Sequence, residues 1–172
     1  DPFRQEFARS EASAVVVMEG GEIVYSDFEP GLDADTLFNS YSMAKSLVGV
    51  LTLVALSDGT IPGLDTTVGD LWAEAAETEV GSVTVRELLD MRSGLAFEKD
   101  PGQLGGAGAD DKSEQAFDYG PFSDMARLHV EGLDSVLGDV QLVAADRGRY
   151  SYQNLNTAIL ARVLEEVRGQ PI

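Results

Sequence analysis

Between Met43 and Leu56 the chain leaves almost no polar face: Ala44, Leu47, Val48, Val50, Leu51, Leu53, Val54 and Leu56 surround the axis of any helix built from them. A helix that is apolar nearly all round belongs in an interior. It begins just after Ser42 and closes at Asp58-Gly59, a helix stop signal. The other elements of the fold therefore have to supply cover for it.

The pattern on either side supplies candidates. Residues 14–18 and 22–28 are β-branched and aromatic runs separated by Glu19-Gly20-Gly21, which reads as a β-hairpin. Pro30-Gly31 opens a loop over 29–41. After the apolar helix comes a turn-rich stretch with a short helix near Val68–Ala76. Thr84 then caps a helix through Met91, with Glu87 at the capping-box position, and Ser93-Gly94 ends it. Residues 98–121 read as a long surface loop of the kind that forms lids or substrate rims. Helices are expected around 122–131 and 133–145, and a final one over about Leu155–Val167 carries Ile159, Leu160, Val163, Leu164 and Val167 on one stripe.

The length of 172 residues allows one domain of ordinary size, and 44% hydrophobic residues are enough for a packed core. Thirty acidic residues against twelve basic ones, a net charge of -18, argue against nucleic-acid or anionic-membrane binding. Zero cysteines exclude disulfides, a thiol nucleophile and thiolate metal sites. The single histidine, His129, excludes His-rich metal clusters and is the sole candidate for a Ser-His-Asp arrangement. No stretch is long and apolar enough to span a bilayer.

Lys45 is the local anomaly. Only three lysines occur, and Lys99 and Lys112 lie in the polar loop, whereas Lys45 sits in the first turn of the most apolar helix. The helix dipole disfavours a cation there. Ser42 precedes it by three residues on the same face. Desolvation at a helix N-terminus pushes a lysine pKa down, so that it can serve as a base, while free backbone N–H groups there can hold an oxyanion. The plain alternative is that Ser42 or Ser40 caps the helix and Lys45 snorkels to solvent. Ser-x-x-Lys by itself does not separate the two. A second constellation, Tyr152-Gln153-Asn154, lies just before the last amphipathic helix. A phenol beside a lysine can shuttle protons for a serine, and an asparagine can both donate to and accept from a substrate amide.

With these residues in view the sequence resembles the serine β-lactamase and penicillin-binding-protein-like hydrolases, whose signature includes Ser-x-x-Lys. The resemblance runs from about residue 13 to the end. It rests on Phe38-Asn39-Ser40-Tyr41-Ser42-Met43-Ala44-Lys45-Ser46, on Asp58-Gly59-Thr60-Ile61 with Leu64-Asp65, on Thr84 to Leu95, and on Tyr150 to Leu160. The Tyr-x-Asn box points to the class C branch with its esterase and peptidase relatives, and the wording of Leu88–Leu95 looks most like the 6-aminohexanoate-dimer hydrolase group. The resemblance implies an α/β (α+β) fold: an antiparallel sheet flanked by a mostly helical subdomain. Residues 1–30 would give the N-terminal hairpin of the sheet, and 31–172 the nucleophile helix and helical subdomain. It implies Ser42 as acylated nucleophile, Lys45 and Tyr152 sharing the acid and base work, and Asn154 positioning the substrate. Ser46 and Ser151 would be supporting residues, and His129, matching no family motif, a surface histidine. No metal or cofactor is implied, and exported and cytoplasmic relatives both exist.

The family's third box, a Lys/His/Arg-Thr/Ser/x-Gly strand, has no counterpart after Tyr152. That strand and most of the central sheet are therefore expected from a second chain or segment that completes the domain. The expected activity is acyl transfer from a small ester, amide or lactam. The competing expectations are a penicillin-binding or D-Ala-D-Ala peptidase-like protein, a binding or sensing relative without turnover, and a plain helical interaction domain.

Overall fold

The computed structural model describes residues 2–97, 128 and 130–172. The chain forms two compact units, residues 1–41 and 42–172.

The first unit holds the hairpin. Strands β1 (Ala14–Glu19) and β2 (Glu22–Phe28) pair antiparallel from Ala14↔Phe28 to Glu19↔Glu22. Gly20 and Gly21 form the two-residue loop with φ of 60° and 87°, the doubly positive turn whose twist matches that of paired strands. A register shift between Val17 and Met18 marks a bulge. Helix α1 (Pro2–Phe7) has no forerunner in the sequence pattern. Six residues cannot sustain a helix in isolation. It is held by Phe3 against the Tyr25 ring at 5.7 Å and by Arg4 on Asp27 at 3.2 Å.

The second unit is built around two long helices, α2 (Met43–Ser57) and, at the end of the chain, α6 (Asn154–Arg168), which pack on each other. Between them run α3 (Val68–Leu71), α4 (Val85–Leu89), strand β3 (Leu95–Phe97), α5 (Leu133–Val136) and strand β4 (Val140–Leu142). Both short helices α3 and α4 start from complete capping boxes, Thr67 with Asp70 and Thr84 with Glu87. Each box satisfies backbone N–H groups that a helix of four or five residues would otherwise leave unpaired. The core joins Ile61, Trp72, Leu88, Leu95, Leu155, Ile159 and Leu164, all within 2% of full burial. Every such side chain contributes about 1.5–3 kcal/mol of transfer free energy. The stripe expected on the last helix is the buried one, with Val167 only partly covered.

Two expectations need correction. The apolar helix is not buried all round: Thr52 and Ala55 are enclosed, Val48 and Leu56 partly so, and this narrow stripe faces the rest of the unit. Met43, Leu47, Val50, Leu51, Leu53 and Val54 are between 43% and 69% exposed. The stretch 133–145 is not one helix either. After a single turn of α5 and a 3-10 turn at Leu137–Asp139, Val140–Leu142 turns into a strand and pairs antiparallel with β3. Three-residue strands carry too little alternation to be read, and the distant Leu95–Phe97 edge decides the outcome. The loop expected over 98–121 and His129 lie outside the described residues, as does most of the helix expected around 122–131. Among the described residues no helix is long and apolar enough to cross a membrane.

Helices α2 and α6 are tied at both ends. At their N-termini Lys45 Nζ reaches Asn154 Oδ1 at 2.6 Å, and at their C-termini Arg168 Nη2 reaches Asp58 Oδ2 at 2.6 Å. The Thr60 hydroxyl, and after it Arg168, pull the Asp58 carboxyl from 3.8 down to about 2. A carboxyl whose folded pKa is depressed stabilises the fold above its unfolded pKa and loses that contribution as pH falls through the folded value. Stability should accordingly drop between 3.8 and about 2, and Asp58→Asn should flatten that part of a melting-temperature-against-pH curve. An unchanged acid limb in the variant would exclude this pair as its source.

Candidate active site

All four residues singled out for chemistry lie in the second unit. The face of α2 that packs inward carries Lys45, Val48, Thr52 and Ala55, spaced by three, four and three residues. That spacing aims the lysine at α6 rather than at solvent. Lys45 Nζ donates to Asn154 Oδ1 at 2.6 Å and to Ser42 Oγ at 3.2 Å, and lies 4.9 Å from the centre of the Tyr152 ring. A lysine in the first turn opposes the helix dipole, and these oxygen acceptors and the π-face offset that.

Ser42 occupies the N-cap position of α2, with φ -69° and ψ -6°, but its side chain makes no capping hydrogen bond. Its hydroxyl is exposed and turned toward Lys45. Simple capping therefore does not account for Ser42, and Lys45 does not snorkel away. The backbone approaches Ser42 through Tyr41, whose φ of 43° is uncommon for a side-chain-bearing residue.

Tyr152 stands beside the pair. Burial pushes its phenol pKa up, but hydrogen bonding to Ser42 and to Lys45 and the lysine charge outweigh that, and the net shift is downward from 10.0. A phenol that ionises more readily than usual, within reach of a serine hydroxyl and an amino group, can take up and return a proton. Asn154 is the first residue of α6 and is partly buried. Ser46 is exposed on the next position of α2, whereas Ser151 is buried and its N–H donates to the Met91 carbonyl at 2.8 Å.

A second polar group, which the sequence did not single out, lies behind the first. Ser93 and Asn156 are each 1% exposed, and Ser93 Oγ donates to Asn156 Oδ1 at 2.5 Å. Asn156 Nδ2 points at the Met91 sulfur at 3.4 Å, and Ser93 Oγ accepts the Leu95 N–H at 3.2 Å. Met91 has φ 55°, a left-handed conformation that costs a side-chain-bearing residue about 1–2 kcal/mol. Nothing in the local pattern distinguishes Ser93 from a helix-terminating serine or Asn156 from a polar helix residue; burial alone sets them apart.

Among the described residues no group of three or more His, Asp or Glu side chains could hold a metal ion. The Beta-lactamase family model matches residues 3–172. No curated protein matches the chain. Among solved structures, a Bacillus anthracis protein with a provisional assignment as a 6-aminohexanoate-dimer hydrolase superposes with a TM-score of 0.76 at 18% identity, covering 99% of this chain and 44% of that one. At that identity the likeness speaks for the fold. It is the β-lactamase/transpeptidase-like one, with mixed helices and small antiparallel sheets, and the chain spans less than half the length of this neighbour.

Proposed function

The chain belongs to the Beta-lactamase family, and from that premise we propose that it carries the nucleophile side of a serine hydrolase site acting through an acyl-enzyme on small ester, amide or lactam carbonyls. The observation that carries this reading is the double hydrogen bond of Lys45, to Ser42 Oγ and to Asn154 Oδ1, with the Tyr152 ring alongside. Ser42 Oγ attacks the carbonyl carbon as its proton passes to the Lys45–Tyr152 pair. The pair returns the proton to the leaving alcohol or amine when the tetrahedral intermediate collapses. Water then attacks the acyl carbon as it gives a proton to the same pair. When the acyl carbon–Oγ bond breaks, the pair passes that proton to Ser42 Oγ, releasing the acid and free Ser42. Free N–H groups at the start of α2 contribute to holding the oxyanion, and Asn154 orients the substrate beside Lys45.

The remaining donor for the oxyanion comes, in this reading, from a further segment that also covers α2. Support for it is the row of exposed apolar side chains from Met43 to Val54. A surface patch of this kind marks an interface rather than a solvated face. Short carboxylesters are the substrates with the lowest chemical barrier, and short ω-amino-acid amides, as in the name of the structural neighbour, share the same site requirements.

The test is intact-mass spectrometry of the natural full-length protein before and after treatment with a fluorophosphonate serine probe. One adduct on the peptide containing Ser42, together with turnover of a short chromogenic ester, is the expected result. Acylation without turnover would favour a penicillin-binding or sensing relative. Absence of any adduct on Ser42 would overturn the hydrolase reading.

A further inference from the structure

The two residues that meet Lys45 from the far side, Tyr152 and Asn154, are bracketed by attachments to a single turn, residues 91–94. Ahead of them, the Ser151 N–H donates to the Met91 carbonyl at 2.8 Å. The Gly148 N–H donates to the Arg92 carbonyl at 2.8 Å, and Arg92 Nη1 returns a bond to the Gly148 carbonyl at 2.7 Å. Behind them, Asn156 accepts from Ser93 at 2.5 Å and reaches the Met91 sulfur. The front attachments are backbone bonds and an exposed arginine. The rear one is a buried side-chain pair, and it stands within the first turn of α6, two residues beyond Asn154.

We infer that the Ser93–Asn156 hydrogen bond is a positioning latch that sets where Tyr152 and Asn154 stand against Lys45. This inference rests on the serine hydrolase reading of the same site. Asn156 lies two residues beyond Asn154 on the same helix, so any rotation or sliding of the first turn of α6 moves both together. Ser93 resists that motion because its hydroxyl is used twice, as donor to Asn156 and as acceptor from Leu95. Inside a low-dielectric core such a satisfied pair has few alternative geometries. The turn that presents Ser93 includes Met91 in its left-handed conformation, which persists because surrounding bonds over-determine it. Neither Ser93 nor Asn156 touches the hydroxyl, amine or phenol, so both act through the residues they place.

A polar pair that only fills the core would alter stability and leave the chemistry alone. The experiment separates the two with the natural full-length protein, a short chromogenic ester and the fluorophosphonate probe. Ser93→Ala should lower kcat by about 10- to 100-fold, the usual penalty for displacing reacting groups by about an ångström, with KM within about twofold. The labelling rate of Ser42 should fall in parallel. The Tyr152 phenol, followed by NMR of labelled tyrosine and identified with Tyr152→Phe, should titrate closer to an ordinary tyrosine. Ser93→Thr, which keeps the hydroxyl, should restore all three. The double variant Ser93→Ala/Asn156→Leu leaves neither side chain of the pair facing a missing partner and removes only the acceptor of the Leu95 N–H, so it should fold even where Asn156→Leu or Ser93→Ala alone does not. It should still show the rate loss.

Wild-type rate and titration in the folded single or double variants would overturn the latch. Failure of the wild-type protein to label at Ser42 would instead overturn the hydrolase reading. In that case the Tyr152 titration still decides the latch, because it needs no turnover.

Discussion

Lys45→Met should reduce ester hydrolysis by about 10³-fold or more and abolish rapid acylation of Ser42, while leaving the protein folded. Methionine has similar length and no donor. Its introduction takes from Ser42 Oγ the partner at 3.2 Å and from Asn154 Oδ1 the partner at 2.6 Å. It also removes the charge that helps hold the Tyr152 phenol below 10.0, and burial, which pushes that phenol up, is then less opposed. The Tyr152 titration should therefore move upward in the variant. Stability should respond far less than activity. A cation in the first turn of α2 opposes the helix dipole, which is worth about 0.3–1 kcal/mol at such positions, and loss of the Asn154 bond works against the gain from removing it. A melting temperature within a few degrees of wild type, combined with loss of labelling, identifies a group kept for chemistry. Labelling within tenfold of wild type would show that Ser42 does not depend on Lys45.

A large loss of stability is expected at Gly94. Its φ is 72°, and a Cβ placed there would lie 2.7 Å from the Arg147 nitrogen and 2.8 Å from the Arg147 Cα. Both are backbone atoms, which cannot rotate aside. The Gly94 carbonyl also accepts the Val143 N–H at 2.9 Å, just beyond the β3–β4 pairing. The left-handed penalty of about 1–2 kcal/mol and an overpacking penalty of about 1–3 kcal/mol combine, so Gly94→Ala should cost about 2–5 kcal/mol. Gly59 supplies the control. Its φ is 80°, but a Cβ added there would meet no atom within 4 Å, so Gly59→Ala should show only the conformational part, about 1–2 kcal/mol. Urea denaturation with an unchanged slope measures both. Equal midpoints for the two variants would mean that the segment 146–147 yields freely.

Arg147 shows why that segment should not yield. Its guanidinium forks onto Glu87 at 2.6 and 2.9 Å and reaches the Ser82 carbonyl at 2.9 Å. Glu87 is at the same time the capping-box residue of α4. A residue legible in the sequence as a local cap thus also anchors, through the arginine, the turn that leads to Tyr152. Its carboxyl is held below the usual range by the Arg147 hydrogen bond first, against the opposing effect of burial.

Much of the local structure is readable without coordinates because its causes lie within a few residues. Gly20-Gly21 supplies the two positive φ values that a tight hairpin requires, and Thr84 with Glu87 closes a cap across three positions. The same holds for the nucleophile candidate: three residues on a helix bring Ser42 beneath Lys45 whatever the rest of the chain does. The apolar character of α2 is equally legible, but its consequence is not. Composition says that the helix seeks cover, whereas which of its faces is covered depends on the neighbours, and here only the Val48–Leu56 stripe is.

What the sequence by itself determined is the set of elements whose partners are near in the chain: the hairpin, the caps, the ends of α2 and α6, and the Ser42–Lys45 spacing. The tertiary structure alone decided the meetings of distant residues. Lys45 and Asn154 are 109 positions apart, Ser93 and Asn156 are 63 apart, and β3 finds β4 across the intervening chain. The physical reason is that a helical or alternating period records which side of an element is apolar, while the geometry of a site depends on how two such sides pack. Polar residues that end up buried, like Ser93 and Asn156, carry no periodic mark of their own, and only the packing around them makes their hydrogen bond obligatory.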